Sequence, residues 1–359
     1  MSQDHEFTKD GAKNLISCLP PITRKILVFS GKESYKTSGA EVLIRQFSKY
    51  GDFEITRYCD FKVNPRFTDL EGAIGKIRAI NPDVIIAIGG GSVIDMAKLS
   101  RFFECHNGET FSGKYDKTKD SIPLIAIPTT AGTGSEATHF AVLYEGTTKH
   151  SIAHQDIKPD FAILDAALTE KTDAYLTACT GFDALAQAIE AYWNKNATLE
   201  SDRYALEAIG LLWDSLPLAV KSPTRDIRSK MLKGAYLAGK AINITKTTAP
   251  HAFSYPFTMH YGYPHGHAVA LTFPAFAAIN LAPGAIEEGK RTRLLSILSL
   301  EQPIEKGISD YINDIGLDFR GESIDTSKIL AGINLSRLAN NPVKIDQNTA
   351  IEIITKVYS

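Results

Sequence analysis

Asp183, His251 and His265 form one set of side chains in this chain that could hold a metal ion. The first stands in Thr180-Gly181-Phe182-Asp183-Ala184-Leu185-Ala186-Gln187, read as lying near the start of a helix; the last stands in Tyr263-Pro264-His265-Gly266-His267-Ala268. A hard carboxylate with two imidazoles suits Fe²⁺ or Zn²⁺ and leaves at least one coordination position open. Lewis-acid catalysis on a substrate oxygen needs such an open position. Spacing alone does not single out this trio: the chain has nine histidines, and His260 and His267 are equally near.

A second chemistry-bearing feature is Gly89-Gly90-Gly91-Ser92, which follows an apolar run directly and opens onto Val93-Ile94-Asp95-Met96-Ala97-Lys98, a helical pattern. Consecutive glycines permit positive φ and close backbone approach. A helix N-terminus adds free N–H groups and the positive end of a dipole, so the junction predicts a pyrophosphate seat, with Ser92 and Asp95 as an N-cap pair. A second polar loop, Pro128-Thr129-Thr130-Ala131-Gly132-Thr133-Gly134-Ser135-Glu136, follows another apolar run. Thr129, Thr130, Thr133 and Ser135 are read as further cofactor contacts, because α/β sheets bind ligands beyond the carboxyl ends of their strands.

The elements that must carry these loops change character along the chain. Strand-like runs at 25–30, 53–57, 83–88, 121–128 and 161–165 alternate with helical spacing at 38–50 and 70–80, the latter stopped by Asn81-Pro82. Such alternation predicts a doubly wound α/β domain with a parallel sheet, placed at 1–167. Helical periodicity then dominates, clearest at 183–193, 201–220, 227–243, 266–279 and 349–358, and predicts an all-helical domain over 168–359. Cofactor and substrate are expected to meet between the two.

Composition excludes several classes. In 359 residues, 44% are hydrophobic and 22% charged, as in a folded globular chain, and 359 is long enough for two domains. A formal net charge of -2 offers no basic field for a nucleic acid. No run approaches the roughly 18 apolar residues of a membrane span. Met1 to Asp10 is polar, without a signal-peptide core, so a cytoplasmic location is expected, with the four scattered cysteines reduced.

Taken together and in order, these strings resemble the iron-containing (group III) alcohol dehydrogenase family. The glycine and threonine loops resemble its two signature loops. Gly181-Phe182-Asp183-Ala184-Leu185, followed by Ala188-Ile189-Glu190-Ala191-Tyr192, resembles its metal helix. Pro264-His265-Gly266 resembles its last ligand motif, with His251 at the family spacing before it. Leu164-Asp165 with Leu168-Thr169 resembles its domain junction, and Asn340-Asn341-Pro342 a C-terminal motif. The resemblance implies an NAD(P)(H)-binding α/β domain, a helical domain holding iron or zinc through Asp183, His251 and His265, and a homodimer. Lys149 resembles a family lysine near the nicotinamide.

Two departures stand out. Members usually place a histidine ligand four residues after the aspartate, where this chain has Gln187, a poorer ligand for either metal. Many also carry a histidine four residues after the one matching His251; here that residue is Tyr255, so Tyr255, His267 or water would have to relay protons.

On the substrate side, Asn243-Ile244-Thr245-Lys246-Thr247-Thr248 precedes His251. A lysine among hydroxyls suits a carboxylate, phosphate or phosphonate, with Lys246, Thr247 and Asn243 as contacts. This stretch looks most like the phosphonoacetaldehyde reductase (2-hydroxyethylphosphonate dehydrogenase) branch. After the first strand, Ser30-Gly31-Lys32 offers no acid for a ribose 2′-hydroxyl, which leaves NADP open, with Gly31 and Lys32 at that end of the cofactor. The rival readings are a non-redox, NAD-using lyase or cyclase of the same fold, a 4-hydroxybutyrate-type dehydrogenase, and a binding protein that has lost its metal.

Overall fold

The computed structural model describes residues 11–146, 148–321 and 323–358, so the polar N-terminal segment lies outside the described residues. The chain divides into Met1–Thr172 and Asp173–Ser359.

The first unit is built on a parallel sheet. Its strands are β1 (Lys25–Ser30), β2 (Glu54–Tyr58), β3 (Val84–Gly89), β4 (Leu124–Pro128) and, after a hairpin of β5 (Phe140–Glu145) and β6 (Thr148–Ala153), β7 (Phe161–Ala162). The order in the sheet is β2-β1-β3-β4-β7, with Ile86 paired to Val28 on one side and Ile125 on the other. Every residue of β3 is buried, as a central strand covered on both faces requires. Alternate side chains serve opposite faces. Leu27, Phe29, Ile85 and Ala87 pack with helices α2 (Phe67–Ile80) and α3 (Gly91–Cys105), whereas Ile26, Val28, Ile86 and Ile88 pack with α1 (Ala40–Phe47). Strand order reverses between β1 and β3, so the loops after these two strands flank a switch point of the kind that binds nucleotides. The hairpin was not foreseen from the sequence. Thr148–Ala153 buries only Ile152, so no hydrophobic period marks it.

The second unit, among its described residues, is helical throughout. Its main helices are α4 (Ala174–Trp193), α5 (Leu199–Lys221), α6 (Arg225–Thr245), α7 (Ala249–Tyr261) and α8 (His265–Asn280), with shorter ones to Gln347–Tyr358. Helix α4 begins nine residues earlier than the sequence reading placed it. The Asp173 carboxylate caps it by accepting from Leu176 N–H at 2.8 Å, and this puts Asp183 in the middle of the helix rather than near its start. From Thr177 to Trp193 nearly every side chain of α4 is buried, because α5, α6 and α8 pack around it. Such a helix is apolar all round except where a polar side chain has a task. Among the described residues, no helix is long and apolar enough to cross a membrane.

Candidate active site

Three helices bring the metal trio together. Asp183 comes from the middle of α4, His251 is the third residue of α7 and His265 opens α8. One donor atom from each lies within 4.8 Å of the others. His251 Nε2 lies 3.1 Å and His265 Nε2 3.9 Å from Asp183 Oδ1. Asp183 and His251 are buried, while His265 stays partly open. Gly266 makes the approach possible: a Cβ there would stand 1.9 Å from Cys179 O and 3.0 Å from Asp183 Cβ, so only glycine lets α8 sit this close to α4.

The imidazoles are held from behind. Glu190, fully buried, accepts from His251 Nδ1, and its other oxygen accepts from Thr248 N–H at 2.6 Å and the Thr248 hydroxyl at 2.9 Å. Burial pushes the His251 pKa down, but the Glu190 charge and the hydrogen bonds to Asp183 and Glu190 outweigh it and raise the value to about 10. Ser254 Oγ, which donates to His251 O at 2.8 Å, lies 3.4 Å from His265 Nδ1. Gln187, one turn beyond Asp183, is buried, and its Oε1 has no hydrogen-bond partner among the described residues. Two nitrogens and a carboxylate oxygen within 4.8 Å of one another form a donor set that fits a divalent cation, and the orphaned amide oxygen belongs to the residue one turn along α4.

The turn before α7 is strained. Lys246 has φ 63° and ψ -179°, a region that only glycine visits freely. Asn194 Nδ2 holds it by donating to Thr245 O at 3.2 Å and Lys246 O at 3.1 Å, and Asn340 Nδ2 donates to Thr247 O at 3.0 Å. The Lys246 side chain is exposed, Thr247 is buried and Asn243 is half-buried in the last turn of α6.

In the first unit, the two polar loops meet. A Cβ on Gly91 would stand 2.7 Å from Thr133 Cγ2, and one on Gly90 3.4 Å from Thr130 Oγ1. Thr129 N–H donates to Gly89 O at 3.0 Å. Helix α3 starts at Gly91 with no capping side chain; Val93 and Ile94 N–H donate to Gly90 O, so the N–H groups of Gly91 and Ser92 are those an anion would meet. Beside it, Arg57 on β2 ties the loop after β1, donating to Ser30 Oγ at 2.6 Å, Gly31 O at 2.7 Å and Lys32 O at 3.1 Å. Lys32 Nζ lies 3.3 Å from Asp60, both exposed. Lys149 is half-buried on the hairpin, opposite Tyr144.

The family model "Iron-containing alcohol dehydrogenase" matches residues 3–166, and the model "Fe-containing alcohol dehydrogenase family, C-terminal" matches residues 177–358. The chain belongs to the iron-containing alcohol dehydrogenase family. It is 38% identical over 222 residues to "Probable alcohol dehydrogenase EutG" of Salmonella typhimurium, a match spanning 60% of this chain and only 56% of that protein. It is 31% identical over 367 residues to an alcohol dehydrogenase of Thermococcus barophilus, covering 97% of this chain and 95% of that one. Among solved structures, sulfoacetaldehyde reductase from Bifidobacterium kashiwanohense in complex with NAD⁺ superposes with a TM-score of 0.86 at 28% identity, over 99% of this chain and 97% of that one.

Several sequence assignments change in this member of the iron-containing alcohol dehydrogenase family. Ser92 and Asp95 are not an N-cap pair: Gly90 occupies the cap, Ser92 Oγ accepts from Asn64 N–H at 3.0 Å, and Asp95 accepts from the Ser135 hydroxyl and, at 2.9 Å, from Val142 N–H. Asp95 and Ser135, expected at the cofactor, thus brace the threonine loop and hairpin against α3. The triple glycine uses no positive φ; Gly89 and Gly91 allow close packing against Val93 and Thr133. His267, offered as a proton relay, has both nitrogens engaged, Nδ1 with Tyr175 OH and Nε2 with Asp318 O, each at 2.9 Å. Tyr255 does stay at the site, its ring stacked on His265 at 5.9 Å.

Two residues escaped the sequence reading. Lys98, completely buried, donates to Ser135 O at 2.8 Å, Thr138 Oγ1 at 3.0 Å and Phe140 O at 2.6 Å, pinning the segment after the threonine loop. Burial lowers its pKa to about 8 against the pull of Asp95 and Glu136, and burial raises Glu136 to about 7. The other is Glu190, whose signal is that it is the one acid besides Asp183 in an apolar helix, seven residues further on. A second cluster, His106, His154 and Asp156, also has donors within 4.8 Å. There, His154 Nδ1 accepts from Asp156 N–H at 3.1 Å and His106 stacks on Phe102 at 4.2 Å, so His154 has no lone pair to give and the cluster suits packing better than a metal.

Proposed function

We propose that this chain is a metal-dependent, nicotinamide-linked dehydrogenase that interconverts a small anionic aldehyde and its alcohol. The observation carrying this reading is the convergence of Asp183, His251 and His265 donors from three helices within 4.8 Å. Iron or zinc held there supplies Lewis acidity toward a carbonyl or alcohol oxygen, and the nicotinamide supplies the hydride chemistry. The chain's residues position and polarise. Asp183 brings the negative charge, the two imidazoles bring neutral nitrogens, and three protein ligands leave room for substrate. The uncapped start of α3, with Gly90 and Gly91, seats the pyrophosphate, and Thr129, Thr130 and Thr133 line the same groove. Tyr255, beside His265, is the side chain placed to exchange a proton with substrate or water.

The anionic class rests on Lys246, an exposed cation five residues before His251 whose backbone is held in a strained turn. A sulfoacetaldehyde reductase among the solved relatives supports it, because sulfonate and phosphonate are both compact tetrahedral anions. Phosphonoacetaldehyde, giving 2-hydroxyethylphosphonate, is our preferred substrate. The test is NADH and NADPH oxidation by iron- and zinc-loaded protein with phosphonoacetaldehyde, sulfoacetaldehyde, succinic semialdehyde and a neutral aldehyde of similar size. Preference for a tetrahedral anion supports the reading. Equal rates on the neutral aldehyde overturn the anion claim, and no turnover with metal bound overturns the redox claim.

A further inference from the structure

We propose that Glu190 is a positioning residue that decides which nitrogen of His251 is free to bind the metal. The inference rests on the metal-holding reading above and adds a residue to it.

The polarity of the network behind His251 follows from its one obligate donor. Trp193 Nε1–H, which can only donate, reaches Thr248 Oγ1 at 3.0 Å. The Thr248 hydroxyl, already accepting, sends its own proton to Glu190 Oε2 at 2.9 Å, and Thr248 N–H donates to the same oxygen at 2.6 Å. Glu190 Oε1 faces His251 Nδ1. Among the described residues, each hydrogen-bonding neighbour of the Glu190 carboxylate is therefore a donor, and the side chain is fully buried. His251 must keep its proton on Nδ1, so the proton it gives up to a metal is the one on Nε2, which bridges to Asp183 Oδ1 3.1 Å away. Carboxylate–histidine pairs behind a metal fix ring orientation and ligand basicity in this way. The same carboxylate holds Thr248, the residue immediately before α7, so one side chain sets both the tautomer of the ligand and the entry of its helix.

Glu190→Gln tests the assignment. A glutamine has one acceptor and one donor where two acceptors are needed. Its oxygen is claimed by the two Thr248 donors, so its NH₂ faces Nδ1 and drives the ring proton to Nε2. Zinc and cobalt affinities, measured by chelator competition, should fall about 10- to 100-fold. Ring-¹⁵N spectra should place the His251 proton on Nδ1 in the zinc-loaded parent and on Nε2 in the metal-free variant. Affinity within twofold of the parent, with or without a lower melting temperature, overturns the proposal and leaves Glu190 a structural residue. Should the variant not fold, the parent spectrum decides: a zinc-loaded His251 lacking the Nδ1 proton overturns the proposal. A parent that binds no zinc overturns the metal-holding reading itself, and this inference with it.

Discussion

Asp183 and Glu190 stand seven residues apart on one face of α4 and grip His251 from opposite edges of its ring, Asp183 Oδ1 at 3.1 Å from Nε2 and Glu190 on Nδ1. Spacing of four, three and four residues joins Asp183, Gln187, Glu190 and Asn194 into a single polar stripe on an otherwise apolar helix. The stripe reads, in order, as ligand, amide oxygen, ligand support and turn support.

The grip has a pH signature. Burial opposes the charge on His251, but Glu190 and Asp183 together raise its pKa to about 10. Metal binding must displace the proton on Nε2, so apparent zinc affinity should rise about tenfold per pH unit from pH 7 to 9. For folding, the raised value means this group stabilises the metal-free protein fully below its ordinary pKa of 6.5 and loses that contribution as pH climbs toward 10. Lys98, lowered to about 8, works in the opposite direction with or without metal, so the comparison of metal-free and zinc-loaded melts isolates His251. A zinc affinity flat across this range would contradict the assignment.

Much of this arrangement was legible in the chain, and the rest was hidden for physical reasons. Runs such as Val84–Gly89 announce a buried parallel strand because hydrophobic burial on both faces leaves no polar position. The ligand trio needed the family resemblance, since nothing in spacing separates His251 and His265 from His260 and His267. The capping role read for Asp95 fails because its partner Ser135 lies 40 residues away in sequence, and a carboxylate near a helix start looks like a cap until its long-range partner is known. Glu190 stands inside Ala188-Ile189-Glu190-Ala191-Tyr192 with no local sequence signal for its role, although a charge inside a buried helix demands a partner.

Gln187 tests how many ligands the metal has. Its buried Oε1 lacks a hydrogen-bond partner among the described residues, a state that costs about 1–3 kcal/mol unless something else meets it. Gln187→Leu should therefore raise the melting temperature of the metal-free protein. Gln187→His places an imidazole one turn from Asp183 and should tighten zinc binding at least about tenfold. Chelator competition on both variants reads this directly, and a histidine variant no tighter than the parent would show that position 187 does not face the ion.

Gly266 should tolerate no side chain. An added Cβ would meet Cys179 O at 1.9 Å, a backbone atom that cannot swing aside, so α8 would have to move off α4. Gly266→Ala should cost about 2 kcal/mol in chemical denaturation and weaken zinc binding as His265 shifts away from Asp183. Unchanged zinc binding would mean that α8 can slide without carrying its ligand.

Lys246 joins strain to specificity, and two substitutions separate them. Its φ of 63° and ψ of -179° suit glycine, so Lys246→Gly should relieve strain and stabilise the fold by about 1 kcal/mol, net of the entropy that glycine adds to the unfolded chain. Lys246→Ala keeps the strained backbone and should not stabilise it. Both remove the ammonium, so both should raise KM for phosphonoacetaldehyde or sulfoacetaldehyde at least tenfold by our estimate, about 1.4 kcal/mol of lost charge-assisted binding, while leaving KM for a neutral aldehyde nearly unchanged. Equal shifts for charged and neutral substrates would remove Lys246 from substrate binding. Equal stability of the two variants would show that the turn is not strained. If both predictions hold, a lysine is retained at a position whose backbone favours glycine because its charge serves the substrate.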